Sequence, residues 1–137
     1  MITMEPISSE SAPEHGPHGT VLVVDDNAAV LNVICQILAR VSEVRISATC
    51  SPTDALEIFE SHADEIDLVF TDLRMPEMSG VQLAESIHAL RPNVPIVAVS
   101  ATEFESEGCA AINERIPKPF SAQALLATVD RYCPTGN

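Results

Sequence analysis

The stretch from Val69 to Gly80, VFTDLRMPEMSG, decides how the rest of the chain is read. Val69-Phe70-Thr71 is β-favouring and largely apolar, yet it ends on a carboxylate, Asp72, and runs at once into the turn formers Pro76 and Gly80. A buried strand with an acid at its tip calls for partners elsewhere in the chain.

Upstream, Val21-Leu22-Val23-Val24 is an unbroken aliphatic run, the pattern of a strand covered on both faces, and it too ends on acids, Asp25 and Asp26. Asn27 is placed to cap a helix in which Val30, Ile34, Ile37 and Val41 recur at helical spacing. Val44, Ile46 and Ala48 alternate with Arg45, Ser47 and Thr49, which predicts an edge strand with one wetter face. Ser51-Pro52 opens a second helix, with Ala55, Ile58 and Phe59 on its buried side. The strand under discussion then runs from Ile66 to Phe70 and ends at Asp72.

Downstream, Leu83, Ile87 and Leu90 mark a third helix, which Arg91-Pro92-Asn93 stops. A fourth strand spans Val94 to Val99 and ends at Ser100. The apolar pattern from Ala101 to Asn113 is weak and holds Gly108, so the helix of this segment is short, irregular or missing. Arg115-Ile116-Pro117 is a short fifth strand followed by Lys118-Pro119-Phe120, and Ser121 caps a last helix with Leu125, Leu126, Val129 and Tyr132 on one face.

Repeated β-α units of this length predict an α/β fold: a flavodoxin-like, doubly wound, five-stranded parallel sheet in the order 2-1-3-4-5, with helices on both faces. That order is already known for such sheets, and their ligands sit at the carboxyl ends of the strands where the order reverses. Strands one and three are then neighbours, which gathers Asp25, Asp26 and Asp72, with Ser100 and Lys118 on the adjoining strand ends. Crowded carboxylates repel, and one pKa rises unless cations intervene. An incomplete oxygen cage of this kind suits Mg²⁺, which keeps several waters for a phosphate. One such Asp would be read as a turn or a cap; the five residues together are not.

On these residues the chain resembles the receiver domain of two-component response regulators, of the chemotaxis-receiver kind. VLVVDD, VFTDLRMPEMSG, AVSA and PKPF stand in the family's order and span residues 20–132. The resemblance implies that Asp72 is the phosphoacceptor, attacking the phosphoryl group of a kinase phosphohistidine. It implies that Asp26 and Asp72 are direct Mg²⁺ ligands, that Asp25 reaches the metal through water, and that the backbone carbonyl of Arg74 is a further ligand. Ser100 and Lys118 would each contact a phosphoryl oxygen, and the bond before Pro119 would be cis. Arg74, Thr102 and Arg115 fall at switch or tuning positions. The family's inward-turning aromatic, three residues before the lysine, is replaced by Arg115, read here as a solvated side chain. Phe104 is a candidate substitute for that aromatic. Arg74 has two readings: it hinders the attacking water and lengthens the phosphoryl lifetime, or it points to solvent with no kinetic role.

Bulk numbers fit. A chain of 137 residues, 46% hydrophobic, predicts one domain with one core. A formal net charge of −13, with no Lys/Arg cluster, argues against direct nucleic-acid binding. Cys35, Cys50, Cys109 and Cys133 form no C-x-x-C pair; two fall at buried helical positions and read as packing thiols of a reducing compartment. Residues 1–19 read as a disordered leader in which His15 and His18 are solvated, and residues 133–137 as a short tail. Neither a signal peptide nor a run of the ~20 apolar residues that a membrane helix needs is visible, so a cytoplasmic protein without membrane insertion is expected.

The reading is of a phosphoacceptor module without an output domain, not an enzyme beyond self-phosphotransfer and autodephosphorylation. Its partners are a histidine kinase or phosphotransfer protein and a downstream protein target, and it is open to homodimerisation. It is either a stand-alone regulator or a receiver excised from a hybrid kinase. The competing readings are a small Mg²⁺-dependent phosphatase with an Asp nucleophile and a pseudo-receiver that works without phosphorylation.

Overall fold

The computed structural model describes residues 19–41, 43–101 and 109–133, apart from the side chain of Val41. Thr102, Phe104, Gly108, residues 1–18 with the two histidines and the last four residues lie outside that part. Gly19, expected to end the leader, accepts from the Arg45 amide at 2.8 Å, and Cys133, expected to open the tail, is buried in the core. Nine elements follow in chain order: β1 Thr20–Val24, α1 Ala28–Val41, β2 Arg45–Thr49, α2 Pro52–Ser61, β3 Leu68–Thr71, α3 Gly80–Leu90, β4 Ile96–Ser100, β5 Glu114–Pro117 and α4 Ala122–Tyr132. The strands form one parallel sheet in the order β2-β1-β3-β4-β5, as the sequence implied. Among the described residues no helix falls between β4 and β5.

In place of the one core expected, the period-2 pleat divides each central strand between two cores, one on each face of the sheet. Val21 and Val23 of β1 join Leu68, Phe70, Val97 and Val99 under α1 and α4, which contribute Ile34, Cys35, Leu38, Leu125 and Val129. Leu22 and Val24 join Val69 and Ile96 under α2 and α3, which contribute Ala55, Phe59, Leu83, Ala84 and Ile87. Each large apolar side chain fully buried there contributes about 1.5–3 kcal/mol.

Local chemistry starts the helices where the sequence suggested. The Asn27 side chain accepts from the Ala29 and Val30 amides at 2.9 and 3.2 Å. Ser51 caps α2 ahead of Pro52, and Ser121 caps α4. Ser79 and Gln82 form a reciprocal capping box on α3.

Several boundaries differ from the sequence reading, two of them for a clear hydrogen-bonding reason. Ile66 stays in the preceding turn because its amide bonds back to His62, so β3 begins at Leu68. Val94 is held by the Arg91 carbonyl and Pro95 has no N–H, so β4 begins at Ile96. Val44 precedes β2, and β5 takes in Glu114. β2 is the expected edge strand, and its wetter face holds at Arg45 and Thr49, which are half-buried. It does not hold at Ser47, which is buried beside Leu22 on the side that α2 covers. Leu90, the last residue of α3, is 50% exposed, and Ala84 fills the core instead.

Candidate functional site

β1 and β3 are adjacent and in register, Val24 opposite Thr71, so the residues that follow them emerge side by side. The Asp72 amide donates to the Val24 carbonyl at 2.9 Å, which extends the ladder one residue past the strand. Carboxylate oxygens of Asp25, Asp26 and Asp72 consequently lie within 4.8 Å of one another. Asp25 and Asp72 are buried, whereas Asp26 is exposed at the rim.

Each buried acid is held on one oxygen by the backbone. Asp25 Oδ1 accepts from the Asn27 amide at 2.9 Å, and Asp72 Oδ1 from the Leu73 amide at 2.7 Å. The second oxygens face Lys118, whose Nζ lies 3.0 Å from Asp25 Oδ2 and 3.5 Å from Asp72 Oδ2. Burial holds the Asp25 carboxyl above the usual carboxylate range; the Asn27 amide and the Lys118 hydrogen bond oppose that rise, and the Asp72 charge adds to it. Burial, more than repulsion, is the leading cause.

Ser100, at the end of β4, is buried, and its carbonyl accepts from the Lys118 amide at 3.0 Å. The bond between Lys118 and Pro119 is cis, as the family resemblance implied. Asp25, Asp26, Asp72, Ser100 and Lys118 therefore all stand at the carboxyl ends of neighbouring strands. Arg74 is exposed in the loop after β3, where Leu73, Arg74, Met75, Pro76, Ser79 and Val81 line an open cavity of about 640 Å³. Arg115 pairs in register with Ala98; it is half-buried and engages a neighbour, so it is not the freely solvated side chain expected.

Gly80 has a larger part than turn punctuation. A Cβ built there would stand 2.0 Å from the Asp72 carbonyl oxygen and 2.7 Å from Leu73 Cα, so only glycine lets α3 start against the acid's own peptide. Arg91, read as a helix stop, donates to the carbonyls of Ala63 and Ile66 and so ties the α2–β3 turn to the end of α3. Neither role leaves a mark in local spacing.

The three acids offer oxygen donors alone, one open to solvent, with a single ammonium opposing them. That donor set fits a hard divalent cation and not a soft one. None of the described helices is long and apolar enough to cross a membrane.

Comparison with known proteins agrees with the geometry. The profile of the response regulator receiver domain matches residues 21–130. The DNA-binding transcriptional regulator NtrC of a Bradyrhizobium strain is 35% identical over 121 residues, 84% of this chain and 24% of that protein. A chemotaxis protein CheY homolog of Campylobacter jejuni is 27% identical over 85% of this chain and 94% of its own length. Among solved structures, the receiver domain of a sensor histidine kinase from Pseudomonas aeruginosa, with magnesium coordinated in its active-site cleft, superposes with a TM-score of 0.75. It is 26% identical and covers 84% of this chain and 97% of that one. The chain spans about a quarter or less of the length of most of the curated relatives it matches. Sequence and shape point to one family, and the conclusion follows: this chain belongs to the response regulator receiver domain family, the phosphoacceptor modules of two-component signalling.

Proposed function

We propose that Asp72 is the phosphoryl acceptor, taking the group from the phosphohistidine of a histidine kinase or phosphotransfer protein. A carboxylate oxygen of Asp72 forms the new O–P bond while the N–P bond of the donor breaks and the imidazole keeps the electron pair. Lys118 offsets charge on the transferred group, and the Ser100 hydroxyl donates to one of its oxygens. Asp25, Asp26, Asp72 and the backbone carbonyl of Arg74 would hold Mg²⁺, which when bound neutralises developing charge on phosphoryl oxygens. The observation that carries the reading is Lys118 Nζ lying within 3.5 Å of both Asp72 and Asp25.

The added phosphoryl charge on Asp72 competes for the ammonium that Asp25 now holds, and that competition couples the site to β5. Arg115 on that strand, with Thr102 and Arg74, is a switch or tuning position. The signal passes to a downstream protein by docking, as a monomer or a homodimer.

The test is loading with a small-molecule phosphodonor in Mg²⁺. Intact mass spectrometry should show one phosphoryl group, absent in Asp72→Asn and after chelation. Steady turnover of a phosphomonoester would support a phosphatase instead. Beryllofluoride with Mg²⁺ should shift backbone NMR signals of β5 as well as those of the site; shifts confined to the site would mean binding without a switch.

A further inference from the structure

The acid at the end of β3 is held by a chain of hydrogen bonds that begins one residue earlier. Thr71, 1% exposed, donates its hydroxyl to the Asp72 carbonyl oxygen at 2.8 Å. The same peptide group, through its Leu73 N–H, donates to Asp72 Oδ1 at 2.7 Å. A carbonyl that accepts a hydrogen bond makes the N–H of its own amide a stronger donor, so the two bonds reinforce each other.

That peptide has no freedom to turn. Its carbonyl lies against Gly80, where even a methyl group would clash. Beyond it, the Gly80 amide donates to the Leu73 carbonyl at 2.9 Å, and on the strand side the Asp72 amide is bound to Val24. With Oδ1 anchored, Oδ2 is the oxygen turned toward Lys118, 3.5 Å away.

We propose that Thr71 is a positioning residue for phosphoryl transfer: its hydroxyl, through the Asp72–Leu73 peptide, anchors one oxygen of the acceptor carboxylate and so presents the other to the incoming phosphorus. The role rests on the reading of Asp72 as acceptor. It belongs to the hydroxyl and not to the bulk of the side chain. A buried Thr without this duty could be exchanged for the isosteric Val with little more than a local loss of one hydrogen bond.

The experiment compares Thr71→Val with Thr71→Ser. In Thr71→Val the amide proton of Leu73 should move upfield in the NMR spectrum of the unphosphorylated protein. Phosphorylation by a small-molecule donor at saturating Mg²⁺ should slow by about three- to tenfold, the size of one lost hydrogen bond. Thr71→Ser, which keeps the hydroxyl, should restore both. An unmoved Leu73 amide in Thr71→Val, or equal losses in both variants, would overturn the proposal. The amide shift is read without any phosphoryl transfer, so it stands even where Asp72 of the wild type fails to load, the outcome that would sink the acceptor reading itself.

Discussion

Lys118 is bonded to Asp25 more closely than to Asp72: its Nζ stands 3.0 Å from the one carboxylate and 3.5 Å from the other. The ammonium is therefore occupied by the deeper acid before any phosphoryl group arrives, and it balances two buried negative charges. Lys118→Met takes that cation from both. The variant should lose about 1–3 kcal/mol in urea unfolding with a chelator present. Excess Mg²⁺ should return part of that loss, because a cation that binds only the folded chain stabilises it. An unchanged midpoint in chelator would show that Lys118 carries no weight in the charge balance.

The cation site can be probed without phosphate. Asp26 is the exposed member of the three acids, so Asp26→Asn should fold normally yet bind Mg²⁺ more weakly in calorimetric titration. Calorimetry is the method of choice because the chain has no Trp to report binding by fluorescence. Equal affinity in the variant would place the ion elsewhere.

Gly80→Ala should be among the most damaging single-methyl additions. The new Cβ would meet the Asp72 carbonyl at 2.0 Å, and the atom it meets is backbone, which cannot swing aside. A loss of about 3 kcal/mol or more, with phosphorylation reduced alongside, is expected from denaturant unfolding and donor loading. Wild-type behaviour would mean that α3 can slide away from β3 without cost.

Alkali should weaken the fold through two thiols. Burial pushes the Cys35 and Cys133 thiols from the ordinary 9.0 up to about 11, with the Asp67 charge adding to the rise at Cys133. Between those values the folded chain keeps protons that the unfolded chain releases, so stability is intact at neutral pH and falls as pH rises through that window. Urea midpoints should drop there, and less so in Cys35→Ala/Cys133→Ala. In native protein at neutral pH a thiol reagent should label the exposed Cys50 and spare the two buried thiols.

Arg74 is exposed two residues past Asp72, along the loop. Arg74→Asn should shorten the lifetime of the acyl phosphate, measured as phosphate release after donor removal. An unchanged rate would show that the long cationic side chain does not obstruct the attacking water.

Much of this was legible from residue order. Aliphatic runs that stop on Asp25-Asp26, Asp72, Ser100 and Lys118 announce strands whose carboxyl ends share one edge, because a parallel sheet points every strand the same way. Caps at Asn27, Ser51 and Ser121 are local interactions between near neighbours, and local interactions survive translation into sequence patterns. Burial at the sheet edge was misjudged, since Ser47 looks polar in sequence but is covered by a helix that only the folded chain brings over it.

What the chain alone determined, then, was the order of elements and the membership of the acidic site. Tertiary structure decided how that site is held: which oxygen of Asp72 is tied down, which acid owns Lys118, and why Gly80 must lack a side chain. The reason is physical. Pattern and propensity report what each residue prefers among its neighbours in sequence, whereas contacts such as Lys118 to Asp25, 93 residues apart, exist only once the sheet has closed the distance between them.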